Sequence, residues 1–175
     1  MDMREVPSAR TFASDEWRHY RDLRLRALAD SPDAFGSTFE RELRYTDSEW
    51  RGHLADGSRS EMDLPLVAEL NSLPIGLAWV RIDAADKDTA TLYQMWVAPE
   101  ARRRGAGQVL LAAAIKWAGA RCLKRLRLRV TCGNSAARRL YDRMGFTSVG
   151  ESEPLRPGSK SLTECLSLEL GGDAV

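Results

Sequence analysis

With 175 residues, 43% of them hydrophobic, the chain can bury one proper core but not two, so it is read as one domain spanning 1–175. Its 26 basic side chains nearly cancel its 25 acidic ones, and a net charge of +1 gives no overall attraction to nucleic acid or to an anionic membrane surface. Two histidines and three widely spaced cysteines, Cys122, Cys132 and Cys165, supply neither metal-ligand spacing nor a disulfide framework, so no metal is expected and the thiols are expected to be reduced.

The N-terminal stretch MDMREVPSAR lacks the basic segment and apolar run of a secretory leader, and no run of about 18 apolar residues occurs anywhere. The expectation is a cytoplasmic protein with no membrane contact. A short strand is predicted before Ser14. Ser14, followed by Asp15 and Glu16, has the chemistry of an N-cap with acids at the positive end of a helix. Trp17, Tyr20, Leu23, Ala27 and Leu28 then recur at helical spacing until DSPDAFGS breaks the run. A second helix is predicted from about Phe39, with Phe39, Leu43, Trp50 and Leu54 on one side, ended by the polar loop ADGSRSEMD.

LPLVAEL and IGLAWVRI, joined by NSLP, read as a β-hairpin. After the polar DAADKD, the run TATLYQMWV reads as a third strand, ended by Ala98 and Pro99. From 106 to 122 the residues Leu110, Leu111, Ala114, Ile115, Ala118 and Cys122 form the stripe of an amphipathic helix. In LRLRV, Leu126, Leu128 and Val130 alternate with arginines, as in a strand buried on one face. A helix starting at Asn134 or Ser135 is predicted to bury Ala137, Leu140, Tyr141 and Met144 and to close at Gly145. Strands at 147–151 and 162–170, separated by PLRPGSK, complete the chain. This order predicts a mixed α/β fold, with helices on both faces of the sheet. Strand 89–97, helix 106–122 and strand 126–131 form a βαβ unit, whose strands run parallel with a right-handed crossover.

RRRGAGQVL, at the head of the 106–122 helix, concentrates charge where a helix offers unpaired N–H groups and a partial positive charge. Glycine lets a bulky anion approach such a backbone, and Arg102, Arg103 and Arg104 surround it with charge. On these residues alone, a tight turn with a solvated arginine rim fits equally well. No Gly-Lys-Ser/Thr follows, so it is not a Walker A loop, and the antiparallel meander before it does not suit a dinucleotide fingerprint.

LYQMWVAPEARRRGAGQVLL resembles the acyl-CoA-binding segment of the GCN5-related N-acetyltransferases (GNAT), whose Q/R-x-x-G-x-G/A signature is filled by Arg102, Gly105 and Gly107. NSAARRLYDRMGF resembles the second motif of that family, with Asn134, Tyr141 and Gly145–Phe146 in the expected order. The resemblance implies a mostly antiparallel mixed sheet of six or seven strands, in which a central parallel pair splays apart to receive pantetheine. The backbone of Trp96 and Val97 would pair with the pantetheine amides. The N–H groups from Arg103 through Gly105, Ala106, Gly107 and Gln108 would hold the pyrophosphate, with Asn134 and Ala137 also against the cofactor. Arg138 and Arg139 are either surface charge or contacts to the adenosine 3'-phosphate.

What the resemblance implies is acetyl-CoA-dependent transfer to a primary amine of a small molecule by direct attack in a ternary complex. Acetylation of a protein N-terminus or lysine, or acyl-CoA sensing without turnover, are the alternatives. Homodimers are common in the family. Tyr141 would act as general acid to the departing thiolate, although a phenol at about 10 and a thiol at about 8.5 do not drive full transfer. An alkylammonium acceptor must also lose a proton before attack. Gln94 stands where many relatives carry a glutamate, and it can orient water or substrate but cannot serve as a base. Glu40 and Glu42, in FERE, and a water chain are the other candidates. Residues 29–60 and 152–162 are expected to form the acceptor site.

Overall fold

The structure is a computed structural model that describes residues 6–171; the first five residues of the segment read for a leader lie outside it. Strands β1 (Ser8–Thr11), β2 (Asp63–Leu70), β3 (Leu73–Ile82), β4 (Thr89–Val97), β5 (Arg125–Thr131), β6 (Thr147–Pro154) and β7 (Leu162–Glu169) form one sheet. Their spatial order is β1-β2-β3-β4-β5-β7-β6. Among the described residues β4 and β5 run parallel, and every other neighbouring pair is antiparallel. The predicted mixed sheet with a central parallel pair is therefore present.

From Ile75 to Val80 every residue of β3 is buried, so that strand needs cover on both faces. On one side α1 (Trp17–Asp30) and α3 (Asp47–Arg59) pack together over β2 and β3, and on the other α4 (Ala106–Ala120) crosses from β1 to β5. Phe12, Trp17, Tyr20, Trp50 and Trp79 fill the first of these layers, while Leu110, Leu111, Leu126 and Leu128 fill the second.

Three element boundaries differ from the sequence reading. Ser14 does not cap α1: Glu16 holds the N-cap position and makes no side-chain cap. Its carboxylate instead accepts the Ala13 N–H at 2.7 Å and is gripped by both terminal nitrogens of Arg10. The predicted second helix is two, α2 (Phe39–Glu42) and α3, and Leu43 between them is 56% exposed. The break is a capping box in TDSE. The Thr46 hydroxyl accepts the Glu49 N–H, and the Glu49 carboxylate accepts the Thr46 N–H at 2.7 Å. Finally, α4 stops at Ala120 and the chain turns left-handed at Cys122 (φ 56°), which is exposed rather than part of the buried stripe.

Helix α5 (Ser135–Arg143) buries Tyr141, but Ala137, Leu140 and Met144 only in part. Strand β6 extends to Pro154 and is exposed along its whole length, as an edge strand can be.

Candidate active site

The central parallel pair is in register only from Thr89↔Arg125 to Leu92↔Leu128. Beyond that point β4 continues to Val97 and β5 to Thr131 without pairing to each other, so the sheet forks. The cause is local. A bulge shifts the β3–β4 register between Leu77 and Trp79, and Gln94, opposite it, adopts φ 54°. A non-glycine residue in that region costs about 1–2 kcal/mol. The Tyr20 hydroxyl offsets part of that cost by donating to Gln94 Oε1 at 2.9 Å. Gln94 is thus a support of the fork, with one bond to its side-chain carbonyl made by Tyr20.

The fork opens onto a cavity of about 980 Å³. Its walls come from α1 and α2 on one side, from His53 of α3 and Trp79 of β3 on another, and from β5 and α5 beyond the fork. Arg156, in the β6–β7 loop, donates to the carbonyls of Pro32 and Phe35 at 3.3 and 3.0 Å. The two segments expected to form the acceptor site are in this way tied across one end of the cavity.

At the head of α4 the turn is left-handed twice, at Arg103 (φ 63°) and Gly105 (φ 91°). The Val109 N–H is the first to bond back, to the Gly105 carbonyl at 3.0 Å. The N–H groups of 103–108 donate to no carbonyl among the described residues. A Cβ at Gly105 would meet only Pro7, at 3.9 Å, so that side of the turn is open. Gly107 has a different reason: a Cβ there would lie 3.0 Å from Leu140 and 3.4 Å from Met95, so it permits α4 to pack against α5 and β4. Arg103 and Arg104 are exposed. Arg102 is not a free rim charge, because its Nε donates to the Val97 carbonyl at 3.0 Å and its Nη2 pairs with Asp30 at 2.5 Å. Asp30 also accepts from the Trp96 indole at 2.9 Å. Arg102 therefore ties the end of β4 to α1, and the Val97 carbonyl expected to meet pantetheine already has one donor.

Tyr141 is 7% exposed and lies in the cavity wall, where its hydroxyl donates to Met95 Sδ at 3.7 Å. Burial pushes the phenol up to about 12. Asn134 acts as N-cap, its side-chain oxygen accepting the Ala137 N–H at 3.2 Å. Arg138 is held by Asp142 and Glu164 at 2.8 and 2.6 Å, whereas Arg139 is exposed.

Glu42 reaches the cavity, but Arg24 grips both of its oxygens at 2.7 and 2.9 Å in a buried pair. A carboxylate so held still has lone pairs to accept further bonds, but taking up a proton would weaken its pair with Arg24; Glu40 is exposed. The sequence reading missed Arg24, Tyr20, His53 and Arg127, all of which line the cavity. Tyr20 and Arg24 look like ordinary members of an amphipathic helix, and no spacing links them to Gln94 or to Glu42. His53 stacks on Trp79 at 4.7 Å. Burial, together with the charge of Arg81, holds its imidazole below the usual range.

Residues 20–146 match the Acetyltransferase (GNAT) family. The chain belongs to that family. A mycothiol acetyltransferase of Thermobispora bispora is 30% identical over 129 residues, covering 71% of this chain and 41% of that protein. This GNAT chain thus spans less than half the length of that curated relative. Among solved structures, a GNAT-family acetyltransferase from Streptococcus pneumoniae superposes with TM-score 0.79 at 23% identity, covering 94% of this chain and 99% of that one. A Salmonella typhimurium structure with its cofactor acetyl-CoA superposes with TM-score 0.77 at 20% identity, covering 97% and 96%. At these identities the likeness is one of fold.

Proposed function

We propose that this chain is an acetyl-CoA-dependent N-acetyltransferase that passes the acetyl group directly to a primary amine of a small molecule. One observation carries the reading: the sheet forks beside a run of N–H groups, at 103–108, that no carbonyl of the described residues accepts. A pyrophosphate is the chemistry that such a turn suits, because its oxygens accept several backbone donors at a positive helix end. Arg103 and Arg104 add charge there, and the exposed Asn134 flanks the far side of the fork. The match to the GNAT family and the relatives named as acetyltransferases support the same reading.

Acetyl-CoA, when bound, supplies an activated acyl group and a thiol leaving group. The chain's own residues supply position and proton control. Tyr141, with its phenol raised to about 12, stays protonated at neutral pH. Full transfer to a thiolate of ordinary pKa, about 8.5, is uphill by about 5 kcal/mol, so the hydroxyl acts as a hydrogen-bond donor rather than as a complete acid. His53, kept neutral at the cavity wall, is placed to accept the proton that the amine must lose. The tie of Arg156 across the cavity favours a small acceptor over a polypeptide laid in an open groove.

Calorimetric titration with acetyl-CoA, followed by thiol release across an amine panel, tests the proposal. Binding with turnover of one amine class supports it, binding without turnover of any amine reduces the site to an acyl-CoA sensor, and absence of binding overturns it.

A further inference from the structure

The acceptor side of the cavity is unbalanced in charge. Arg24, Arg41, Arg81, Arg127 and Arg129 face it, against Glu42 and Glu49. Three of the arginines are neutralised in place: Arg24 by Glu42, Arg81 by Asp63 and Arg129 by Glu153. Arg41 and Arg127 have no acidic partner among the described residues.

Two of these guanidinium groups also present buried N–H donors with nothing to accept them. Arg24 is 3% exposed. Its Nε and Nη2 are bonded to Glu42 and its plane lies 4.8 Å over the Phe35 ring, which leaves Nη1 buried and unpartnered. Arg127 Nε is buried and unpartnered as well. Leu126 and Leu128 are buried on one face of β5, the alternation turns Arg127 to the other, and Arg127 lines the cavity. Buried donors are nearly always satisfied, and leaving a charged one unmet costs more than the usual 1–3 kcal/mol or so. The two arginines that carry these donors, one on α1 and one on β5, line the same cavity.

Given the acetyl-transfer reading, on which this rests, we propose that the acceptor amine also carries a carboxylate, and that Arg24 and Arg127 bind it. A carboxylate is planar, has two accepting oxygens and matches the edge of a guanidinium. Bound there, it supplies the missing acceptors and cancels the surplus charge, with the amine of the same molecule left to point toward the fork. A polyamine does neither and is repelled.

The test pairs each standard amino acid with its α-carboxamide, with spermidine as a cationic control. Binding to the CoA-loaded protein is read by calorimetry and turnover by thiol release. The expected result is that at least one acid binds about 10- to 100-fold more tightly than its amide, the range for a charge-assisted pair. Arg127→Met, which removes a partly buried side chain with no acidic partner to strand, reduces that ratio to near one. Arg24→Lys retains the charge opposite Glu42 but lacks the Nη1 edge, and it also lowers the ratio. Affinity for acetyl-CoA is unchanged in both variants. Equal binding of acids and amides, preference for spermidine, or no binding of any acid overturns the carboxylate assignment and leaves acetyl transfer standing. Loss of acetyl-CoA binding in the unaltered protein overturns acetyl transfer itself, while the acid-to-amide ratio of the free protein still reports on the arginines.

Discussion

The Tyr141 hydroxyl and the Met95 sulfur meet at 3.7 Å across the mouth of the fork, joining α5 to the part of β4 that has left β5. Thioether sulfur is a weak acceptor, so this contact fixes the direction of the hydroxyl at little energetic cost and leaves it available to a better acceptor. Replacing Tyr141 by Phe is expected to lower kcat by about 10- to 100-fold. The unfolding midpoint and the acetyl-CoA Kd should stay close to those of the parent. Steady-state kinetics beside a thermal melt check this, and an unchanged kcat would remove Tyr141 from the reaction.

Glu42 is expected to matter for folding before chemistry. Glu42→Ala leaves Arg24 as an uncompensated buried charge, and the expected loss is about 3–5 kcal/mol by urea denaturation. Converting both partners, as in Arg24→Met with Glu42→Leu, should recover most of it, since two apolar side chains leave no charge unpaired. A Glu42→Ala protein of normal stability that had lost turnover would instead point to Glu42 as the base.

Gly105 and Gly107 sit two residues apart but resist alanine for different reasons. At Gly105 the obstacle is the backbone, φ 91°, with an expected cost of about 1–2 kcal/mol. At Gly107 it is contact with Leu140 and Met95, with an expected cost of about 1–3 kcal/mol. A double-mutant cycle separates them: Leu140→Ala should relieve Gly107→Ala and do nothing for Gly105→Ala.

His53 gives a pH dependence of known sign. Its imidazole is held below the ordinary value, about 6.5, by burial first and by Arg81 second, so the unfolded chain binds its proton more readily than the folded one. Its contribution to stability is complete above about pH 6.5 and is lost as pH falls through the folded-state value. Titration of the His53 ring resonances by NMR should place its midpoint below the ordinary value of about 6.5. His53→Gln should flatten the acid limb of kcat/KM. A midpoint at or above the ordinary value would contradict both the sign and the proposed proton acceptor.

Much of the fold follows from local pattern. The period of two in LRLRV and the period near 3.6 from Leu110 to Ala118 locate β5 and the inner face of α4, because each bond geometry repeats at that spacing. Element order then leaves one topology for the βαβ unit. The capping box of TDSE was present in the sequence but masked, since Phe39, Leu43, Trp50 and Leu54 keep a helical spacing across the break.

The tight turn at the head of α4 and the Asn134 cap were legible for the same reason: each is built from consecutive residues, so local sequence by itself determined its backbone. The acceptor cavity was not legible, because its walls are pairs distant along the chain, Tyr20 with Gln94, Arg24 with Glu42 and Arg127 across the sheet. Whether an arginine is a solvated rim charge, a brace such as Arg102 or a buried donor such as Arg24 depends on what lies opposite. Partners and desolvation set that, and they exist only once the chain has packed.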